Sequence, residues 1–148
     1  MTDTSLDVLR EIFKAAPFIA SLGIELESVS QGRCHTSLAL RPDHLQQNGV
    51  VHAGVIATMA DHTAGGAAGS VLERGSYPLT VEFKINLLRA ASGDYLTCRA
   101  GVLKAGRTLI VAESEVFAST KAEEVLVAKA MVTLAILTKD ENRRTGAA

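Results

Sequence analysis

The chain has 148 residues, 47% of them hydrophobic and 21% charged, so one domain with an aliphatic core is expected. Its formal net charge of -1 argues against a basic face for nucleic acid, and it lacks the run of about 18 apolar residues that a membrane-spanning helix needs. The first residues do not resemble a signal peptide, and Cys34 and Cys98 lie far apart as expected for reduced thiols, so a cytoplasmic location is predicted.

The N-terminal segment, residues 1–23, is predicted to form one short helix and a linker. An apolar stripe with helical spacing begins at Leu6 and continues to about Ala16. Pro17 interrupts the pattern, which predicts that the helix ends there. At the other end of the chain, residues 139–148 form a polar tail that is expected to fray.

Residues 24–138 are predicted to form a single α+β domain. A long apolar helix is expected over 53–72, and the segments with period-two patterning are separated by short turns, which favours antiparallel pairing. A sheet wrapped around the helix would bury the apolar surface of both. The sheet is expected to have five or six strands, drawn from the segments 24–30, 33–40, 77–88, 94–103, 108–118 and 125–137.

The strand predicted over 77–88 has the most regular alternation in the chain. Val81 and Phe83 are expected to face one way, and Thr80 and Glu82 the other. A strand with this pattern at the edge of a sheet can pair with a second copy of itself, which predicts at least a dimer.

Asp61 is the most informative residue in the chain. It lies in an Ala/Gly-rich helix whose side chains are mostly apolar or small on every side, and helices of that composition are buried. Burial of an unpaired carboxylate costs several kcal/mol or forces its protonation. A chain that keeps a carboxylate there is expected to use it. The alternative is a carboxylate that is paired with His62 or with a donor from a loop and serves only packing.

His52 stands at the predicted start of the same helix, nine residues before Asp61. Nine helical residues correspond to a rotation of about 900° and a rise of about 13.5 Å, so the two side chains would not meet within one chain. If both are catalytic, the site is shared between two subunits. If not, His52 is a solvated helix cap.

The helix start offers hydrogen-bond donors as well as a side chain. The backbone N–H groups of Ala53 and Gly54 have no partners within the helix, and with the helix dipole they could hold an oxyanion. Gln46, in the preceding loop, could add a side-chain amide, although a loop glutamine is often only solvated.

The pattern Gln46-x-x-Gly49-x-x-His52-Ala53-Gly54, followed by Asp61, resembles the signature of the hotdog-fold acyl-CoA thioesterases. The similarity covers nearly the whole chain and is closest to the branch that contains the phenylacetate-pathway and 4-hydroxybenzoyl-CoA thioesterases. It implies the hotdog fold and hydrolysis of acyl-CoA or aryl-CoA thioesters. It also implies a homodimer or a homotetramer with the site at a subunit interface.

The resemblance also implies a role for each motif residue. Asp61 would be the general base or the nucleophile, and Gln46 would contact the thioester carbonyl or the water. The turn that begins at His52 would provide the oxyanion hole, with Ala53 where relatives usually have glycine. Thr80 matches a hydroxyl that orients water in relatives.

The substrate implied by the resemblance carries phosphate groups, because coenzyme A is part of it. Arg89, Lys104 and Arg107 lie near turns where they could contact those phosphates. Thioester hydrolysis needs a base, an oxyanion hole and water, so neither a metal nor a separate cofactor is expected.

Two other functions remain possible from the sequence. A hotdog protein can bind acyl-CoA without hydrolysing it, and the carboxylate at Asp61 speaks against that alternative. A hotdog dehydratase would need a histidine and a carboxylate in a different arrangement, which the sequence lacks.

Overall fold

The computed structural model describes residues 3–138, which form three α-helices and six strands. Each strand begins and ends within two residues of its predicted bounds. The tail at 139–148 lies outside the described residues. The elements are α1 (Asp3–Ala15), α2 (Pro17–Leu22), β1 (Glu25–Ser30), β2 (Arg33–Ala39), α3 (Ala53–Gly69), β3 (Ser76–Leu87), β4 (Tyr95–Ala105), β5 (Leu109–Ser119) and β6 (Glu124–Thr138).

The six strands form one antiparallel sheet in the order β1-β2-β4-β5-β6-β3. The helix α3 packs across one face of this sheet and contacts all six strands. This is the predicted hotdog arrangement, in which a sheet wraps around one long helix. Among the helices of the described region, none is long and apolar enough to span a membrane.

The composition of α3 explains how it can lie so close to the sheet. Met59, Ala64 and Ala67 are fully buried on the broad face of α3 that packs against the sheet. Small side chains let the strands approach the helix backbone closely. The helix ends at Gly69, three residues earlier than predicted, where the hydroxyl of Ser70 accepts a hydrogen bond from the Gly32 N–H at 2.8 Å.

The first helix ends at Ala15, as predicted, but Pro17 then begins a second helix, α2, that the sequence pattern did not predict. Proline is favoured in the first turn of a helix, where its fixed φ suits the helix and its missing N–H has no intrahelical partner to lose. This helix ends at Gly23, whose φ of +82° is the left-handed conformation typical of a glycine cap.

The strand β3 lies at the edge of the sheet and pairs only with β6 within the described chain. It exposes a row of apolar side chains: Leu79 is 53% exposed, Val81 56%, Phe83 42% and Leu87 50%. The opposite edge strand, β1, is only six residues long and includes two glutamates. A long apolar edge strand is a template on which another chain can pair, whereas a short and charged edge strand resists such pairing.

The predicted facing of Thr80 was wrong, and a β-bulge is the physical reason. The register between β3 and β6 shifts between Thr80 and Glu82, so Val81 is an extra residue on its strand. The shift turns Thr80 toward α3, although the simple alternation placed it on the opposite face with Glu82. Bulges often re-aim a side chain in this way, and here the side chain is aimed at Asp61.

Candidate active site

Asp61 lies in the middle of α3 and is half-buried against β3. The Thr80 hydroxyl donates a hydrogen bond of 2.8 Å to its Oδ1 atom, and Oδ2 has no hydrogen-bond partner among residues 3–138. Burial raises the pKa of Asp61 above its ordinary value, and the hydrogen bond from Thr80 partly opposes that rise. The result is a carboxylate with one oxygen held in place and the other free to take a proton.

His62 follows Asp61 directly but does not bond to it. Its ring packs edge-on against Phe13 with 4.2 Å between ring centroids. Burial lowers the pKa of His62 to about 4, so the ring is neutral at physiological pH. His62 therefore contributes packing between α1 and α3, and Asp61 has no cationic partner there.

The start of α3 differs from the prediction in one respect. His52 is the helix cap, and its Nδ1 atom accepts a hydrogen bond of 2.8 Å from the Gly54 N–H. The Gly54 N–H is therefore occupied and is not the free donor that was expected. The Ala53 N–H has no partner within the described chain, which leaves it as the donor available to a substrate.

A cleft of about 560 Å³ lies beside this helix start. It brings together four of the predicted site residues, namely Gln46, His52, Ala53 and Arg89. They come from the loop before α3, from the helix start and from the segment after β3. Its walls are mostly apolar. The lining residues are Gln46, Gln47, Val50, Val51, His52, Ala53, Ile56, Leu87, Leu88, Arg89, Ala90 and Ala91.

Gln46 is held in a tight turn at the edge of the cleft. Its backbone N–H donates to the Val50 carbonyl at 2.8 Å, and its carbonyl accepts from the Gly49 N–H at 2.9 Å. The side-chain Oε1 accepts from the Asn48 N–H at 3.2 Å. Since the side-chain oxygen is used, the amide nitrogen of Gln46 is the atom left to donate to a ligand.

His44 fixes the loop that carries Gln46, a role that was not predicted from the sequence. Its ring is 1% exposed: Nδ1 accepts from the Arg41 N–H at 3.1 Å, and Nε2 lies 2.9 Å from the Leu22 carbonyl. Its backbone carbonyl also accepts from the His52 N–H at 2.9 Å. His44 thus joins α2, the loop and the start of α3. A histidine in a polar loop gives no sequence signal for such a role.

The remaining predicted residues are spread over the chain. Asp61 does not line the cleft, because it lies two turns farther along α3 than Ala53. Arg89 lines the cleft and donates to the Leu126 carbonyl at 2.9 Å. Lys104 lies near the end of β4 and Arg107 lies in the turn between β4 and β5, at the opposite end of the sheet from Arg89. The structure therefore brings one of the three cations to the cleft.

Residues 48–125 match the sequence model of the Thioesterase superfamily, and this range includes Asp61 and Thr80. The chain belongs to the thioesterase superfamily. Human acyl-coenzyme A thioesterase 13 is 30% identical to this chain over 131 residues, which cover 87% of this chain and 91% of the human protein.

Solved structures described as thioesterases have the same fold as this chain. A thioesterase family protein from Silicibacter pomeroyi superposes with a TM-score of 0.85 and 37% identity, over 88% of this chain and 96% of that one. A hypothetical thioesterase protein from Streptococcus pneumoniae, solved with coenzyme A, gives a TM-score of 0.70 and 25% identity, over 78% of this chain and 86% of that one. These similarities confirm the predicted hotdog fold and the membership of the thioesterase superfamily, whereas the branch within it stays a prediction.

Proposed function

We propose that this protein hydrolyses acyl-CoA or aryl-CoA thioesters, with Asp61 as the catalytic carboxylate. The observation that carries the proposal is the state of Asp61: half-buried, with Oδ1 held by Thr80 and Oδ2 free. Desolvation makes such a carboxylate a stronger base than one in water. The membership of the thioesterase superfamily and the similarity to human acyl-coenzyme A thioesterase 13 support the choice of substrate.

The reaction needs a group that activates water and a group that stabilises the oxyanion. Asp61 takes a proton from water as the water attacks the thioester carbonyl, or attacks the carbonyl itself; both routes need the same free oxygen. The Ala53 N–H and the Gln46 amide donate to the oxyanion that forms. In the general-base route the carbon–sulfur bond then breaks, and the thiolate of coenzyme A leaves with the proton that Asp61 took from water. In the nucleophilic route the thiolate takes a proton from solvent, and water then hydrolyses the acyl–Asp61 anhydride, which releases the acid and restores the carboxylate.

We further propose that each site contains residues of two chains, because Asp61 lies outside the cleft of its own chain. The unpaired edge of β3 supports this arrangement. Two β3 strands that pair antiparallel, centred near Phe83, place the Thr80 end of one chain beside the Leu87 end of the other. Leu87 lines the cleft and Thr80 holds Asp61, so the pairing moves Asp61 toward the partner's cleft.

Arg89 is the residue best placed to contact the phosphates of coenzyme A, since it lies in the cleft with Gln46 and Ala53. Its hydrogen bond to the Leu126 carbonyl fixes the guanidinium near the cleft wall. Lys104 and Arg107, at the far end of the sheet, stay candidates for the same role.

Thiol release from a panel of acyl-CoA and aryl-CoA thioesters, followed with a chromogenic thiol reagent, tests the proposed reaction. We expect hydrolysis of at least one class of thioester at a rate well above the background reaction. Tight binding of the same compounds without thiol release would instead support the alternative, a non-catalytic acyl-CoA-binding protein.

The bond between Thr80 and Asp61 leads to a prediction about pH dependence. Thr80→Val removes a donor that stabilises the charged carboxylate, so the pKa of Asp61 should rise further. Because the reaction needs the deprotonated form, the acidic limb of the kcat/KM profile should move to higher pH. Thr80→Ser keeps the hydroxyl and is the matched control. Coincident profiles for the valine and serine variants would contradict the proposed role of Thr80.

A further inference from the structure

Gly65 lies one helical turn after Asp61, and packing within the chain does not explain why it is a glycine. A Cβ atom added at Gly65 would meet no neighbouring atom within 4 Å. The next residue is different, because a Cβ atom at Gly66 would come within 2.7 Å of the Cys34 sulfur and 2.9 Å of the Phe13 ring. The φ angle of Gly65 is not positive, so the backbone conformation does not require glycine either.

A glycine in the interior of a helix lowers its stability relative to alanine. Close packing explains why residue 66 is a glycine, but no contact within the described chain explains why residue 65 is one. The space beside Gly65 is therefore available to something outside the chain. Either a substrate or a second copy of the chain can fill it.

The position of this space relative to Asp61 favours the substrate. Side chains four residues apart lie on the same face of a helix, so the space beside Gly65 adjoins the Asp61 carboxylate. Both residues face β3, since Asp61 bonds to Thr80 and a Cβ atom at Gly69, one turn farther on, would lie 4.0 Å from Pro78. A carbonyl attacked at Asp61 has its first acyl carbon within about one helical turn of that carboxylate.

We infer that Gly65 provides the room for acyl groups that are branched at the carbon next to the thioester carbonyl. This inference rests on the proposed hydrolase function, because it assumes that the thioester reacts at Asp61. Gly65 then acts as a specificity-determining residue. A side chain at this position would crowd the second substituent of a branched acyl group and would leave a straight chain free to turn away.

The test compares isobutyryl-CoA with n-butyryl-CoA, isomers that differ only in branching at this carbon. Gly65→Ala should lower the ratio of kcat/KM for isobutyryl-CoA over n-butyryl-CoA about tenfold, the scale at which one carbon discriminates in a packed site. The variant should also have a higher melting temperature. Gly69→Ala is the matched control, since its Cβ atom would make only an ordinary contact with Pro78, and its ratio should equal that of the unmodified protein.

Three outcomes would overturn the inference. An unchanged ratio in Gly65→Ala, whether both rates fall together or neither falls, would show that the branched carbon does not occupy this space. A lower mass by light scattering, with the ratio unchanged, would assign the space to a second copy of the chain. If the unmodified protein released no thiol from any acyl-CoA or aryl-CoA, the proposed function would itself be wrong, and this inference with it.

Discussion

Asp61→Asn is expected to reduce turnover of the best thioester substrate by at least about a hundredfold, the usual scale for the loss of a general base. Asparagine has nearly the same shape as aspartate, and its side-chain oxygen can still accept the hydrogen bond from Thr80. What the variant lacks is an atom that can take a proton from water or attack a carbonyl. The measurement is kcat by thiol release, with far-UV circular dichroism and a melting curve to show that the fold is retained.

The surface aspartate Asp94, which is exposed before β4, provides the matched control for this substitution. Asp94→Asn removes the same charge from the chain at an exposed position that does not line the cleft. We expect it to leave turnover unchanged. Turnover close to that of the unmodified protein in a well-folded Asp61→Asn variant would refute the catalytic role of Asp61.

The order of elements in this protein could be predicted from the sequence because periodicity and turn residues are local signals. The alternation in β3 and the apolar run of α3 each predict a structure with no knowledge of the rest of the chain. The bulge at Val81 could not be predicted, because it depends on how β3 registers against β6. A one-residue shift moves a side chain to the other face of the sheet, so the orientation of Thr80 could not be predicted either.

The sequence predicted which residues belong to the candidate site, but it did not predict how they are bonded and arranged. Asp61 stands out because a carboxylate is rare in so apolar a helix, and Gln46, His52 and Ala53 stand out through the motif they share. The hydrogen bond from the Gly54 N–H to His52 depends on the rotamer of one side chain, which the sequence does not encode locally. The role of His44 depends on its contact with α2, a helix that was not predicted from the sequence.

The second large effect is expected in the activity of dimers built from variant chains, because Asp61 is separated from the cleft of its own chain. A dimer of Asp61→Ala subunits should be inactive, because every site lacks the carboxylate. A dimer of Gln46→Ala subunits should turn over roughly tenfold to a thousandfold more slowly, as expected for the loss of one oxyanion donor. Neither homodimer has an intact site.

A mixed dimer of the two variants should have one site with both lesions and one site with neither, if each site takes Asp61 from one chain and Gln46 from the other. Unfolding an equal mixture and refolding it together should restore activity to about a quarter of that of the unmodified protein, since half of the dimers are mixed and each has one intact site. The measurement is thiol release before and after the refolding step. The unmodified protein taken through the same step corrects for incomplete refolding.

The same experiment distinguishes a shared site from one built within a single chain. In a single-chain site, every site keeps one of the two lesions, so mixing cannot restore activity however the subunits pair. Different affinity tags on the two variants, captured in sequence, show whether mixed dimers are present, and light scattering gives their mass. Mixed dimers without recovered activity would contradict the shared site, and so would a fully active monomer. Either result would leave the role of Asp61 in hydrolysis to be decided by the Asp61→Asn variant alone.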